Sequence, residues 1–250
     1  MSVLTRPDGA IFYELYGSGY PVLLFAPGGL RSRAEMWHAL DGGITQLWVD
    51  WTLLLPAAGF CTIAMDQRNA GKSRTAIAGD HGWHTYAADH LALMDHLGFE
   101  KFHLLGGCIG VSFCLKLIEL APERISAAVL QNPIGWNPEH PAFFPDHHVE
   151  WGRELRTVRP DLAEDAITAL SRNLWVGDFI FSVDREVART CPVPTLLMPG
   201  TDIPHPFSAS QELASLVPGI EVLSDWRGPD YLKPQETRVV QFLKRNTPPN

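Results

Sequence analysis

The sequence lacks what a nucleic-acid-binding, membrane-spanning or disulfide-framed protein needs. No tract of basic residues stands out, and the formal charge of -8 would repel both nucleic acid and an anionic membrane, so neither is an expected partner. No apolar run can span a bilayer: the most apolar stretch, residues 51–65, is too short and is broken by Pro56 and Gly59. Residues 1–8 contain no apolar h-region, so a secretory signal is not expected there. The four cysteines, Cys61, Cys108, Cys114 and Cys191, form no C-x-x-C pair. Scattered thiols suit a reduced, cytoplasmic protein better than a disulfide framework or a zinc site. There is no internal repeat, which excludes a solenoid. No histidine follows His205, an absence that bears on how protons could be handled.

What is present is an alternation of apolar runs and helical patterns. With 250 residues and 46% hydrophobic content, the chain can bury a sizeable core. Residues 3–5 and 10–16 flank the turn Pro7-Asp8-Gly9 and predict paired strands. Residues 21–26, 60–65, 102–105, 127–131 and 195–198 are continuous rather than alternating apolar runs, as expected of strands buried on both faces of a parallel sheet. Helical spacing appears over 83–97, 111–120, 208–216 and 235–244, with a short strand at 221–223. The plan is a mainly parallel, three-layer α/β fold.

Residues 132–194 carry no strand pattern but hold Trp136, Phe143, Phe144, Trp151, Trp175, Phe179 and Phe181. A structureless loop of that length is improbable in a compact domain, which predicts a helical insertion. The expected organisation is a core of 1–131 and 195–250, with 132–194 as a small cap over the carboxyl edge of the sheet. Its aromatics, Trp136, Phe143, Phe144 and Trp175 among them, would divide between the cap's own core and a pocket.

The segment richest in chemistry is Gly106-Gly107-Cys108-Ile109-Gly110, between a predicted strand and a predicted helix. A turn this sharp needs small residues on both sides of the central one. It would expose the Cys108 sulfur above the strand and leave the Ile109 N–H free at a helix start to stabilise an oxyanion. The same residues could also serve as a packing turn with Cys108 as a small core side chain. They do not make a G-x-G-x-x-G run, which argues against a dinucleotide. Gly71-Lys72-Ser73 ends like a phosphate loop, but the required earlier glycine is Asp66.

Taken in order, the motifs resemble the α/β-hydrolase superfamily. Ala26-Pro27-Gly28-Gly29 stands where many members have His-Gly, Asp66-Gln67-Arg68-Asn69-Ala70-Gly71-Lys72-Ser73 is similar to the D-x-R-x-x-G-x-S turn, and the Cys108 turn resembles the nucleophile elbow. The resemblance implies an oxyanion hole from the N–H groups of Gly29 and Ile109, a mainly structural role for Asp66 and Arg68, and Asp202 as the catalytic acid. It also implies a histidine in the loop after the last strand. Residues 224–234 contain none, and Tyr231 or Asp230 occupies its place.

Cysteine tolerates the loss of a partner base better than serine, because a few per cent of a thiol is ionised without help and a helix N-terminus lowers its pKa further. A replacement base is also available. His205 follows Asp202 in Asp202-Ile203-Pro204-His205-Pro206, where the prolines restrict the loop. His140, His147 and His148 of the insertion could reach down as well; their spacing completes no metal site. His81, His84, His90, His96 and His103 read as helix-face or core residues.

These readings lead to a cofactor-independent hydrolase of a small apolar ester, lactone or thioester, with Cys108 as nucleophile and Asp202 and His205 handling protons. Two alternatives stay open: a non-hydrolytic enzyme on the same scaffold, such as a lyase, cyclase or acyltransferase, and a small-molecule binder that has lost catalysis.

Overall fold

A computed structural model describes residues 2–38 and 49–249. The chain begins with an antiparallel hairpin, β1 (Ser2–Arg6) and β2 (Gly9–Gly17), followed by β3 (Tyr20–Phe25). Helix α1 (Trp51–Ala57) leads into β4 (Phe60–Met65), a two-residue strand β5 (Arg74–Thr75) and helix α2 (Trp83–His96). Strand β6 (Phe102–Gly107), helix α3 (Ile109–Leu120) and strand β7 (Ile125–Gln131) complete the first part. Helices α4 (Phe143–Val158), α5 (Glu164–Leu174) and α6 (Arg185–Arg189) precede β8 (Thr195–Met198). Helix α7 (Phe207–Leu216), strand β9 (Glu221–Val222) and helix α8 (Leu232–Arg245) close the chain.

Among the described residues the strands form one sheet in the order β1-β2-β4-β3-β6-β7-β8-β9, with β5 beside β2. The β1–β2 and β2–β4 pairings are antiparallel, and every pairing from β4 to β9 is parallel. Strands β4 and β6 are buried along their whole length, which is why their sequences read as unbroken apolar runs. One apolar layer packs α2, α3 and α7 on one face through Trp83, Phe113 and Leu213. The other packs α1 and α8 through Trp51, Leu55, Val239 and Phe242. The expected three-layer plan is therefore present.

Two elements went unforeseen in the sequence. The apolar stretch 51–65 divides into α1 and β4, with Asp50 capping α1 by accepting a hydrogen bond from the Thr52 N–H at 3.0 Å. The strand half was expected; the helix was not, because a single apolar stretch interrupted by Pro56 carries no clear helical spacing. Strand β5 is only two residues long and exists by pairing with β2. No described helix is long and apolar enough to cross a membrane.

The segment between β7 and β8 is helical and buries Trp151, Leu155, Ile167, Leu170 and Leu174. It is tied to the sheet layers by Trp83, whose indole N–H donates to the Leu174 carbonyl at 3.0 Å. Because β3, β6, β7 and β8 are parallel, the loops that follow them gather at one edge of the sheet, where ligands of open α/β sheets bind.

Candidate active site

Cys108 stands between β6 and α3 with φ 58° and ψ -120°, a backbone region that costs a non-glycine residue strain. The neighbouring glycines make this turn possible. A Cβ at Gly106 would lie 2.3 Å from the Gly110 carbonyl oxygen, and one at Gly110 would lie 2.4 Å from the Phe25 carbonyl oxygen. Phe25 is paired with Gly106 in the β3–β6 register, so β3, β6 and α3 approach closely enough that only hydrogen fits at either position. Cys108 is a partly buried residue that lines a cavity, whereas Cys61, Cys114 and Cys191 are buried.

Asp202 and His205 share one turn after β8. Their backbones exchange hydrogen bonds, Asp202 N–H to the His205 carbonyl at 3.2 Å and the reverse at 3.1 Å. Asp202 Oδ1 also accepts from the His205 backbone N–H at 3.1 Å and lies 2.5 Å from His205 Nδ1. The carboxylate thus assigns the proton to Nδ1 and fixes the ring. Gly200 makes room for this arrangement: a Cβ there would lie 2.4 Å from the His205 carbonyl oxygen and 2.6 Å from its Cβ.

The opposite ring nitrogen, Nε2, is buried with no hydrogen-bond partner of regular geometry, and the imidazole couples to the Cys108 thiol by charge and a loose hydrogen bond. Burial pushes the thiol up, but the His205 charge and hydrogen bond, with the backbone N–H groups of Gly28 and Ile109, outweigh it and hold Cys108 below the usual thiol range. Burial likewise opposes charge on His205, yet the thiolate and Asp202 raise it to about 9. The two shifts run in the direction that favours charge on each group, negative on Cys108 and positive on His205.

Loop residues 224–228, where the resemblance led us to expect a histidine, instead supply Arg227. Its Nη1 lies 3.7 Å from Asp202 Oδ2 and its Nη2 donates to Asn132 Oδ1. The guanidinium lies 4.6 Å from the Trp226 ring centroid. Trp226 is anchored in turn, its indole N–H donating to the Pro199 carbonyl at 3.0 Å and its own carbonyl accepting from Gln235 Nε2 at 3.0 Å. Nothing in the sequence pattern marked Arg227, because the contact joins loops 25 residues apart.

Cys108 and His205 open onto a cavity of ≈ 230 Å³. Gly28 and Gly29 form one wall; the loop amide turned onto the sulfur is that of Gly28, with Gly29 one residue further along the same wall. Phe143, Phe144 and Trp175 line the cavity as the sequence suggested, with Phe144 stacked on Trp175 at 4.9 Å between centroids. Trp136 is a correction: it is not among the lining residues, and its backbone N–H donates to the Phe179 carbonyl at 2.8 Å. Trp151, one face of α4 further on, takes a place in the lining that sequence reasoning did not assign.

The histidines of α4 divide by hydrogen bonding. His148 Nε2 is 2.9 Å from the Ile167 carbonyl and its Nδ1 accepts from the Trp175 indole N–H at 3.0 Å. Both nitrogens are engaged and burial holds its pKa down, so His148 supports Trp175 instead of moving protons. His147 lines the cavity with Nδ1 2.7 Å from the Phe143 carbonyl, and His140 lies outside the lining. Among the described residues no group of three or more His, Cys, Asp or Glu side chains is arranged to hold a metal ion.

The turn after β4 is structural. Asp66 accepts from the backbone N–H groups of Ala34 at 2.9 Å and Lys72 at 2.7 Å, while Arg68 pairs with Asp8 at 2.6 Å and Asp89 at 2.5 Å. His90 and His103 are buried with pKa values pushed down to about 3 and about 4 by burial. They bond Gln67 at 2.8 Å and Thr247 at 2.9 Å.

A family model described as alpha/beta hydrolase fold matches residues 21–178. The chain is 29% identical over 129 residues to a protein of Azorhizobium caulinodans provisionally named carbamate hydrolase RutD, a match covering 52% of this chain and 42% of that protein. Matches to the first such relatives span only 42%, 42% and 38% of their lengths. It is 24% identical over 204 residues to N-formylmaleamate deformylase of Pseudomonas putida, covering 81% of this chain and 74% of that one. The solved enol-lactonase of Burkholderia xenovorans shares the fold with a TM-score of 0.68 at 17% identity, over 97% of this chain and 100% of that one.

Proposed function

Because the chain belongs to the alpha/beta hydrolase fold family, we propose that it is a cofactor-independent hydrolase of a small apolar ester, lactone or thioester, with Cys108 as nucleophile. The observation that carries the reading is the line of three groups: a thiol on a strained turn at the cavity, an imidazole coupled to it, and a carboxylate 2.5 Å from that imidazole's Nδ1. Relatives named carbamate hydrolase, deformylase and enol-lactonase support a hydrolytic reading.

In this reading His205 Nε2 carries the proton and the Cys108 thiolate attacks the substrate carbonyl carbon. The N–H groups of Ile109 and Gly29, with Gly28 beside them, hold the developing oxyanion. Collapse expels the alcohol or thiol, which takes the proton from His205 and leaves a thioester on Cys108. His205 then removes a proton from water, the hydroxide attacks the thioester carbonyl, and the acid departs as the thiol re-forms. Asp202 keeps the imidazole in one tautomer throughout. Residues 132–194 act as the cap, with 1–131 and 195–250 as the core, and the small aromatic cavity selects a compact acyl group.

Intact mass spectrometry after mixing with p-nitrophenyl butyrate tests the reading. The expected result is an acyl adduct that decays with turnover and is missing from Cys108→Ala. An adduct that persists until an alcohol or amine acceptor is added would assign acyl transfer instead. Tight binding with no adduct would assign a binder, and unchanged activity in both His205→Ala and Asp202→Ala would remove those residues from proton handling.

A further inference from the structure

We propose that the substrate carries a carboxylate away from its scissile carbonyl, and that Arg31 receives it at the end of the cavity; this rests on the reading of Cys108 as nucleophile. Among the described residues that line the cavity, Arg31 is the only one with a permanent charge; the rest are aromatic, aliphatic, glycine, thiol or imidazole. It ends the short helical turn Gly29–Arg31, two residues past the amide assigned to the oxyanion.

Arg31 already holds a carboxylate. Its Nε and Nη2 both donate to Glu154 Oε2, at 2.9 and 2.6 Å. Glu154 is on α4, three residues after Trp151 and seven after His147, both of which line the cavity. That spacing puts all three on one helix face, so the ion pair lies beside the cavity where Arg31 lines it. The two side chains are 37% and 57% exposed, and a solvent-exposed pair of this kind contributes little to stability. A substrate carboxylate can therefore replace Glu154 with a small net change. The guanidinium edge suits it, because Arg binds planar carboxylates through two parallel hydrogen bonds. Elsewhere the lining is aromatic and aliphatic apart from its histidines, of which His205 is already engaged with Cys108 and Asp202 and His148 with Ile167 and Trp175.

The competing interpretation is a latch, in which Arg31–Glu154 only fastens α4 to the loop after β3. The two readings predict opposite effects at Glu154. We compare p-nitrophenyl hydrogen glutarate with p-nitrophenyl pentanoate, which replaces the carboxylate by a methyl group. The expected wild-type kcat/KM ratio favours the acid ester by about tenfold or more, the scale of one charge-assisted contact. Arg31→Gln should lower that ratio by roughly tenfold, and Glu154→Gln, which removes the internal competitor, should raise it. Equal use of both esters by the wild type, or a parallel loss with both esters in both variants, would establish the latch and overturn the proposal. Calorimetric titration of Cys108→Ala separates this from the chemistry. 3-Phenylpropanoate should bind more tightly than 3-phenylpropanamide, and adding Arg31→Gln should abolish the difference. Absence of that difference would refute the anion site, whereas a retained difference with no acyl adduct on the wild type would refute only the nucleophile.

Discussion

His205 Nδ1 lies 2.5 Å from Asp202 Oδ1, three residues earlier in the same turn. The carboxylate and the imidazole thus arrive on one loop, at the end of one strand. Their relative geometry is set by short-range backbone hydrogen bonds, and only the placement of the pair against Cys108 depends on the sheet.

Replacing Cys108 by serine should reduce kcat/KM by at least about a hundredfold, although the two side chains are nearly the same size. A hydroxyl is too weak an acid to form the ion pair with His205 that the thiol forms. Steady-state kinetics of Cys108→Ser against a reactive ester checks this, with Cys108→Ala as the floor.

Alkylation of Cys108 by iodoacetamide should follow a pH profile displaced to the acid side of an ordinary thiol, because the thiolate is the reacting form and its pKa is lowered. His205→Ala removes the principal stabilising charge, so its profile should move to higher pH. For an alkyl ester, hydrolysis by the wild type should also fall as pH rises past about 9, where His205 loses the proton that the leaving group needs.

Gly200→Ala should cost more in activity than in stability. The added Cβ would lie 2.6 Å from the His205 Cβ, so relief requires the turn to move, at a stability cost on the order of 1–3 kcal/mol. A displacement of about 1 Å at the imidazole costs roughly a hundredfold in rate. Urea denaturation alongside kcat/KM separates the two effects.

Arg227→Met should move the acid limb of the kcat/KM profile to higher pH. Burial raises the Asp202 carboxyl pKa, and its bond to His205 together with the charges of His205 and Arg227 brings it below the usual range. Without Arg227 the carboxylate takes up its proton at a higher pH as the solution is acidified, and orientation of His205 is lost there. Arg227→Lys should recover part of the shift; a merely structural role would lower the rate at every pH alike.

The sharp turn at Cys108 was legible because its determinants are local: two glycines, a small central residue, an apolar strand before and a helix after. The Asp202–His205 turn was legible for the same reason, since both residues fall within four positions. In the insertion, composition pointed to Phe143, Phe144 and Trp175, yet it could not distinguish Trp136 from Trp151. Trp136 lies before α4, tied to the Phe179 carbonyl, whereas Trp151 sits on α4 beside the cavity, and composition carries no signal of that difference.

The sequence by itself determined the layered α/β plan, the positions along the chain of Cys108, Asp202 and His205, and the lack of a later histidine, because each is written in nearest-neighbour patterns of polarity and turn chemistry. Only the tertiary structure decided which imidazole couples to the thiol, that His148 spends both nitrogens on Ile167 and Trp175, and that Arg227 and Arg31 meet Asp202 and Glu154. Those contacts join segments whose separation in sequence carries no signal: Cys108, His205, Asp202 and Arg227 meet because a parallel sheet brings the ends of its strands to a common edge, while the bonds of His148 and Glu154 depend on how α4 packs on α5 and on the turn at Arg31.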